Sequence, residues 1–290
     1  MNIKFKNLII FILLSAVMLF SGCAENKKRE VSELPSLTIG SDIYSPYFYL
    51  DDNGNFAGID VEIATEACKR LKIKPEFKQI TWQDKDSFLD NGSVDCLWGS
   101  FSMNGRESEY TWAGPYLHSR QVVVVNASSD IHTFADLNGK DIAVQNASKP
   151  ENLFLTDSVE GVCVNKVYSF SSMKNVFAAL KKGYVDAAAG HETAFRDYMK
   201  NINGDFRIIG GVLITSELGV AFKKDANNKT AEKMTAVLDE MRRDGTILSI
   251  IEKYDMDTDY AQVLTMKNNL PVFRKQNGFV TALLIFIGIF

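Results

Sequence analysis

Closely spaced histidines or cysteines often indicate a catalytic or metal site. In this sequence neither residue type forms such a cluster. The chain has only three histidines, at 118, 132 and 191, and none belongs to a closely spaced pair or a His/Glu cluster. The GxSxG, GxGxxG and GxxxxGK[ST] patterns that position a nucleophile or a phosphate are absent from the sequence. No CxxC pair occurs either, so the sequence predicts neither a metal site nor a cofactor. These absences favour a protein that is not an enzyme.

The cysteines point to a compartment. Small residues precede Cys23 after an apolar run, an arrangement that is typical of a bacterial lipobox, so we expect lipidation of Cys23. The alternative is an uncleaved anchor with an unmodified thiol. Cys68 falls on a predicted helix and Cys96 in a predicted buried strand. Two buried thiols are favoured there, and a disulfide between them stays open.

The two ends of the chain differ from the rest. Residues 1–22 combine a positive start, a short apolar core and a small-residue site, which predicts a signal peptide or anchor followed by a linker at 23–35. A second linker at 261–278 leads to an apolar tail at 279–290. As a helix the tail rises only about 18 Å, less than a hydrocarbon core of about 30 Å. It is either the start of a transmembrane helix in a longer protein or a tail that packs on the domain.

Composition limits the remaining classes. The 290 residues are 46% hydrophobic and 23% charged, with a formal net charge of -4. These values exclude a disordered chain and a multi-span membrane protein. No basic surface is predicted that could hold nucleic acid. We therefore expect an extracytoplasmic globular protein, anchored to the bacterial cell membrane by a lipid or a helix.

Short apolar strands alternate with amphipathic helices along the chain. Apolar spacing predicts helices that begin with Asp60 as a cap and that cover 172–182 and 230–244. The predicted strands lie at 37–41, 76–80, 94–98, 121–126, 141–144, 185–189 and 218–222. This alternation predicts an α/β fold with mostly parallel sheets and a helix layer on each face. Ligands of such sheets bind beyond the carboxyl ends of strands.

Eight segments occur in an order that resembles the extracellular solute-binding proteins of family 3. They are YSPY at 44–47, DNGNFAGIDVE at 52–62, the stretch 82–92, VDCLWGSFS at 94–102, GPY at 114–116, LNGKDIAV at 137–144, GYVDA at 183–187 and DGT at 244–246. The resemblance covers about 36–256. It implies two α/β lobes joined by two crossing strands, with lobe 1 at 36–118 and 215–260 and lobe 2 at 119–214. The implied ligand is an amino acid or related carboxylate held between them.

The resemblance assigns an anionic end of the site. Arg106 matches the family arginine that binds the ligand carboxylate, and its planar fork suits two parallel hydrogen bonds. The alternative is a surface arginine paired with Glu107 or Glu109. Ser100 and Ser102 match positions that donate to the same carboxylate.

Other site positions follow from the same resemblance. Tyr44 and Trp82 match aromatics that enclose the ligand side chain, although core packing would also explain them. Ser148 matches a residue of the lobe 2 loop before a helix. Trp98 ends a predicted strand and fits a core position equally well, and Trp112 is predicted to lie in the core.

Two departures from the family pattern matter for the ligand. The loop from Ser102 to Arg106 is one residue shorter than is typical. His191 stands where the family has the aspartate that binds the ligand ammonium, which an imidazole cannot replace. Adjacent Glu192 is the expected substitute; otherwise the ligand is not a free α-amino acid.

Three functions remain open. The first is the receptor of an ABC transporter that delivers its ligand to a permease. The second is the sensor domain of a membrane receptor of the diguanylate cyclase or histidine kinase type. The third, a dehydratase-like enzyme on the same fold, would use His191 and Glu192 as acid and base.

Overall fold

The computed structural model describes residues 34–201, 204–225 and 228–256. From Pro35 onward these residues belong to one compact unit. The signal peptide, Cys23, most of the first linker, the second linker and the apolar tail lie outside the described residues. No helix within the described part of the chain is long and apolar enough to cross a membrane.

Strands and helices alternate through the described residues. The strands are β1 (Ser36–Ser41), β2 (Tyr49–Leu50), β3 (Phe56–Ala57), β4 (Lys74–Gln79), β5 (Cys96–Leu97), β6 (Thr111–Asn126), β7 (Asp141–Gln145), β8 (Lys166–Phe170), β9 (Ala187–His191), β10 (Phe206–Ile208) and β11 (Ile214–Phe222). The α-helices are α1 (Ile59–Leu71), α2 (Lys85–Asp90), α3 (Lys149–Leu155), α4 (Met173–Lys181), α5 (Glu192–Asn201), α6 (Asn228–Arg243) and α7 (Thr246–Glu252). Short 3₁₀ turns cover Trp82–Asp84 and Phe134–Leu137.

One sheet contains two groups of parallel strands. Its order is β4-β1-β5-β11-β6-β9-β7-β8, and β10 pairs with β6. Strand β1 pairs in parallel with β4 and β5, and β7 pairs in parallel with β8 and β9. The two central strands, β6 and β11, run antiparallel to each other and to β5 and β9. They join the two parallel groups.

The joining strands are longer than the sequence predicts. Strand β6 has 16 residues, of which only 121–126 were expected, and β11 has nine. Gly114 and Pro115 lie inside β6, and both residue types weaken a strand signal. The pairing of β6 with β11 runs from Thr111 opposite Phe222 to Gln121 opposite Ile214. Long-range pairing therefore overrides the local pattern.

Helix α1 begins differently from the prediction that Asp60 caps it. The cap position is Gly58, at φ 126°, and a Cβ there would lie 2.3 Å from the carbonyl oxygen of Tyr47. Only glycine fits so close an approach. Asp60 is the second residue of the helix and is buried, with its carboxylate turned toward the sheet. The capping prediction is wrong because tertiary contacts hold that carboxylate.

Two of the three described cysteines and Trp98 lie in the hydrophobic core. Cys68 and Cys96 are buried free thiols, and Cys163 is exposed and also free. Trp98 is fully buried, whereas Trp112 is partly exposed and packs on the core beside the sheet. Each fully buried large apolar side chain contributes on the order of 1.5–3 kcal/mol, so this core fixes the strand ends that surround the site.

Candidate functional site

A cavity that opens to solvent lies where both parallel groups of strands end. Its residues come from the turn after β1, the 3₁₀ turn after β4, the segment after β5, strand β6, the loop after β7, the starts of α3 and α4, and the end of β9. They are Asp42, Tyr44, Trp82, Gly99, Ser100, Phe101, Ser102, Arg106, Gln121, Gln145, Ala147, Ser148, Lys149, Pro150, Met173, Ala189, Gly190 and His191. Carboxyl ends of parallel strands are the expected place for a ligand in such a sheet.

Seven of the eight predicted site residues surround this cavity. They are Tyr44, Trp82, Ser100, Ser102, Arg106, Ser148 and His191. Glu192 is the exception. It forms ion pairs with Arg120 and Arg196 at a separate cavity. As the residue directly after His191, at the start of α5, Glu192 turns its side chain to the other side of the backbone.

Arg106 contacts both parts of the cavity wall. Its Nη1 donates to the carbonyl oxygen of Ser102 at 3.3 Å and its Nη2 to that of Ala147 at 3.4 Å. The guanidinium also lies 5.4 Å from the centre of the Phe101 ring. None of its contacts within the described residues is an ion pair. The surface pairing with Glu107 therefore does not form, and Glu107 accepts from the amide of Gly105 instead.

The serine loop is held from behind by Asp60. Ser100 has φ 44°, a left-handed conformation that is uncommon for residues with a Cβ. Its backbone N–H donates to Asp60 Oδ2 at 2.6 Å, and the Tyr116 hydroxyl donates to Asp60 Oδ1 at 2.8 Å. Burial raises the pKa of Asp60 to about 7. The carboxylate thus fixes the backbone that presents Ser100 to the cavity.

The remaining serines already have partners. Ser102 donates its hydroxyl to Asn104 Oδ1 at 3.2 Å. Ser148 is the cap residue of α3, and its Oγ accepts from the backbone N–H of Glu151 at 3.2 Å. A hydroxyl that accepts one bond can still donate its own proton, so Ser148 retains a donor at the cavity.

Two aromatic side chains close the cavity walls. Tyr44 and Trp82 are each only 6% exposed. The Tyr44 ring packs edge-on against His191 with centroids 5.6 Å apart, and Trp82 packs edge-on against Phe101 at 4.9 Å. Lys85 Nζ lies 5.7 Å from the Trp82 ring centre. Both aromatics therefore belong to the core and the cavity wall at once.

His191 is a buried, neutral imidazole. Its Nδ1 lies 2.8 Å from Ser119 Oγ, which in turn is 3.0 Å from the Tyr47 hydroxyl. The side-chain nitrogen of Gln121 lies 3.0 Å from His191 Nε2. Desolvation by burial lowers the pKa of His191 to about 3, so the ring carries no charge at neutral pH. It supplies no negative charge that could balance an ammonium group.

Asp42 supplies the negative charge that sequence reasoning missed. It directly follows β1, is 7% exposed, and accepts a hydrogen bond from the side-chain amide of Gln145. Burial raises the pKa of Asp42 to about 6. The available signal was its position, a carboxylate immediately after a buried parallel strand. Sequence reasoning also gave no role to Gln145 and Gln121, which line the same cavity.

The cavity has charges of both signs among apolar and polar side chains. Arg106 and Lys149 are its cations, and Asp42 is its carboxylate. Within the described residues no group of three or more His, Cys, Asp or Glu side chains could hold a metal ion. The arrangement suits a small molecule that carries a carboxylate and a positively charged nitrogen.

Comparison with known proteins gives a consistent result. The model of the bacterial extracellular solute-binding proteins, family 3, matches residues 37–257. L-cystine-binding protein TcyA of Bacillus subtilis (strain 168) is 29% identical over 230 residues, covering 75% of this chain and 80% of that protein. L-cystine-binding protein TcyJ of Escherichia coli (strain K12) is 26% identical over 246 residues, covering 83% and 91% respectively.

Solved structures agree with the sequence comparisons. An ancestral arginine-binding protein bound to arginine has a TM-score of 0.69 and 29% identity, covering 77% of this chain and 99% of that chain. The same kind of ancestral protein bound to glutamine has a TM-score of 0.68 and 30% identity, covering 76% and 97%. These likenesses confirm the predicted α/β two-lobed fold class.

Proposed function

Since this chain belongs to the bacterial extracellular solute-binding proteins of family 3, we propose that it binds a free amino acid outside the cytoplasmic membrane. The ligand carboxylate contacts Arg106, and the positively charged nitrogen is balanced by Asp42. The relatives named above are binding proteins for cystine and arginine, which supports an amino-acid ligand over a dehydratase substrate.

The observation that carries this proposal is the pairing of charges in one cavity. Arg106 is partly buried, which lowers its pKa, and within the described residues its guanidinium donates to the carbonyl oxygens of Ser102 and Ala147. Asp42 is buried and hydrogen-bonded to a neutral amide. Neither group forms an ion pair among the described residues, and a zwitterion supplies a direct partner for each. Buried charges are costly unless they are paired, so such a ligand is strongly favoured.

Asp42 can supply the negative charge that the neutral His191 lacks. If the ligand ammonium depended on a carboxylate at position 191, the neutral imidazole would argue against an amino acid. A carboxylate from the other wall of the same cavity balances that charge instead. The amino-acid proposal therefore does not require Glu192.

We place the ligand between two lobes, with lobe 1 at 36–118 and 215–260 and lobe 2 at 119–214. Side-chain contacts join these segments. They include Arg106 with Ala147, Gln145 with Asp42, Asn146 with Gln83, and Ser45 with Asp197. A micromolar ligand supplies about -8 kcal/mol, enough to shift an open–closed equilibrium of a few kcal/mol.

The same proposal includes an ABC permease as the partner protein. We place the protein at the outer face of the membrane, held by a lipid on Cys23, where the closed form delivers its amino acid to an ABC permease. Binding-protein names among the relatives support transport over a sensor role.

A ligand screen tests the function. Wild-type protein is mixed with the twenty common L-amino acids, L-cystine, matched acids that lack the amino group, and matched amines that lack the carboxylate. We expect at least one amino acid to raise the unfolding temperature and its two truncated partners to bind at least tenfold more weakly by calorimetry. Binding of an amine as tightly as its amino acid, or of no amino acid, would refute the proposal.

A further inference from the structure

The side chain of Gln121 faces the cavity from the central strand β6, where it is 1% exposed. Its register partner across the sheet is His191, so the two side chains lie next to each other at the cavity wall. Sequence reasoning gave Gln121 no role. Its surroundings show a buried polar group with half of its hydrogen-bonding capacity in use.

The amide nitrogen of Gln121 is fully engaged. Its Nε2 lies 3.0 Å from His191 Nε2 and donates to Ser216 Oγ at 3.3 Å. Because the imidazole is neutral, one of its nitrogens accepts while the other carries the proton. His191 Nδ1 meets the hydroxyl of Ser119, and Ser119 continues to Tyr47. This chain of contacts fixes the orientation of the Gln121 amide.

The amide oxygen of Gln121 has no hydrogen-bond partner among the described residues. A buried carbonyl oxygen without a partner costs free energy comparable to a lost hydrogen bond. Such a group in a ligand cavity is satisfied when the bound molecule supplies a donor.

Resting on the proposed amino-acid binding, we propose that Gln121 Oε1 accepts a hydrogen bond from the ligand ammonium and thereby selects ligands with a free amino group. An ammonium has three N–H donors, so the Asp42 carboxylate and the neutral Gln121 oxygen can be bound by the same nitrogen. Asp42 balances the charge, and Gln121 fixes the direction of a second N–H.

The test compares an amino acid with its analogue in which hydrogen replaces the amino group, because a hydroxyl there could still donate to the amide oxygen. Calorimetry uses the tightest binder of the screened L-amino acids and its deamino acid, with wild type, Gln121→Leu and Gln121→Met. In the wild type the amino acid binds at least tenfold more tightly than the deamino acid. Both variants lose at least tenfold in affinity for the amino acid and much less for the deamino acid, so the preference collapses. A loss of packing alone would weaken both ligands equally.

Gln79→Leu serves as the matched control, because Gln79 is exposed at the end of β4, away from the cavity. It retains the wild-type preference. An unchanged preference in folded Gln121→Leu or Gln121→Met would overturn the role of Gln121 while leaving amino-acid binding intact. Failure of every screened amino acid to bind the wild type would overturn both proposals.

Discussion

At the scale of single residues, the site depends on Arg106 and Asp42, two charged groups that form no ion pair among the described residues. Desolvation raises the pKa of Asp42 to about 6. A neutral carboxyl group cannot balance an ammonium ion. The protonation state of Asp42 therefore controls how well the proposed ligand binds.

We expect affinity for an amino acid to rise by about tenfold between pH 5 and pH 7. The ligand ammonium stabilises the ionised carboxylate, so it lowers the pKa of Asp42 on binding and a proton is released near pH 6. Calorimetry in two buffers of different ionisation enthalpy measures both effects. Asp42→Asn should bind more weakly with little change over this range. A pH-independent affinity in the wild type would show that Asp42 does not face the ligand nitrogen.

At the scale of elements, helix α1 supports the ligand loop through one buried carboxylate. Asp60 accepts hydrogen bonds from Ser100 and Tyr116, and burial raises its pKa to about 7. The folded state therefore favours the protonated form more than the unfolded chain does. Its contribution to stability is complete below about pH 4 and is lost as the pH rises through about 7.

The free energy of unfolding should consequently fall by about 1 kcal/mol between pH 6 and pH 8 through Asp60. Asp60→Asn, which keeps an acceptor for the Ser100 amide, should remove that part of the dependence. Asp60→Ala should destabilise the protein by about 1–3 kcal/mol, because two buried donors lose their partner. Urea unfolding measures each value, with exposed Asp52→Asn as the control. Parallel pH profiles for the wild type and Asp60→Asn would contradict this role.

The elements also show how far sequence reasoning reached. Regular apolar spacing predicted the helices at 172–182 and 230–244 and most of the parallel strands, because local burial dominates there. It missed β8, Lys166–Phe170, which pairs in parallel with β7. It could not predict the full length of β6, since Gly114 and Pro115 interrupt the pattern while pairing with β11 maintains the strand. The cap assigned to Asp60 failed for a related reason, because contacts distant in sequence determine where its carboxylate points.

The site was predictable in part. Sequence segments shared with family 3 predicted that Arg106 and Tyr44 belong to one site. No such segment indicated a role for Asp42 or Gln121. Their roles depend on which strand ends meet in space. Glu192 was predicted to line the cavity and does not. Its adjacency to His191 in sequence does not place it on the same side of the backbone.

At the scale of the whole molecule, two groups of parallel strands meet through β6 and β11, and the cavity lies at their junction. Arg106 hydrogen-bonds to carbonyl oxygens on both sides of that junction. A ligand carboxylate bound there would add a charged link between the proposed lobes. Binding and closure would then depend on the same guanidinium.

The most direct test is a calorimetric titration of Arg106→Ala with the amino acid that binds the wild type most tightly, alongside Arg243→Ala as an exposed control. We expect Arg106→Ala to lose about 2 kcal/mol, roughly 30-fold in affinity, because the carboxylate loses a charge-assisted partner. Arg243→Ala should bind like the wild type. An Arg106→Ala protein that is folded and binds with unchanged affinity would contradict the assignment of the carboxylate to this cavity.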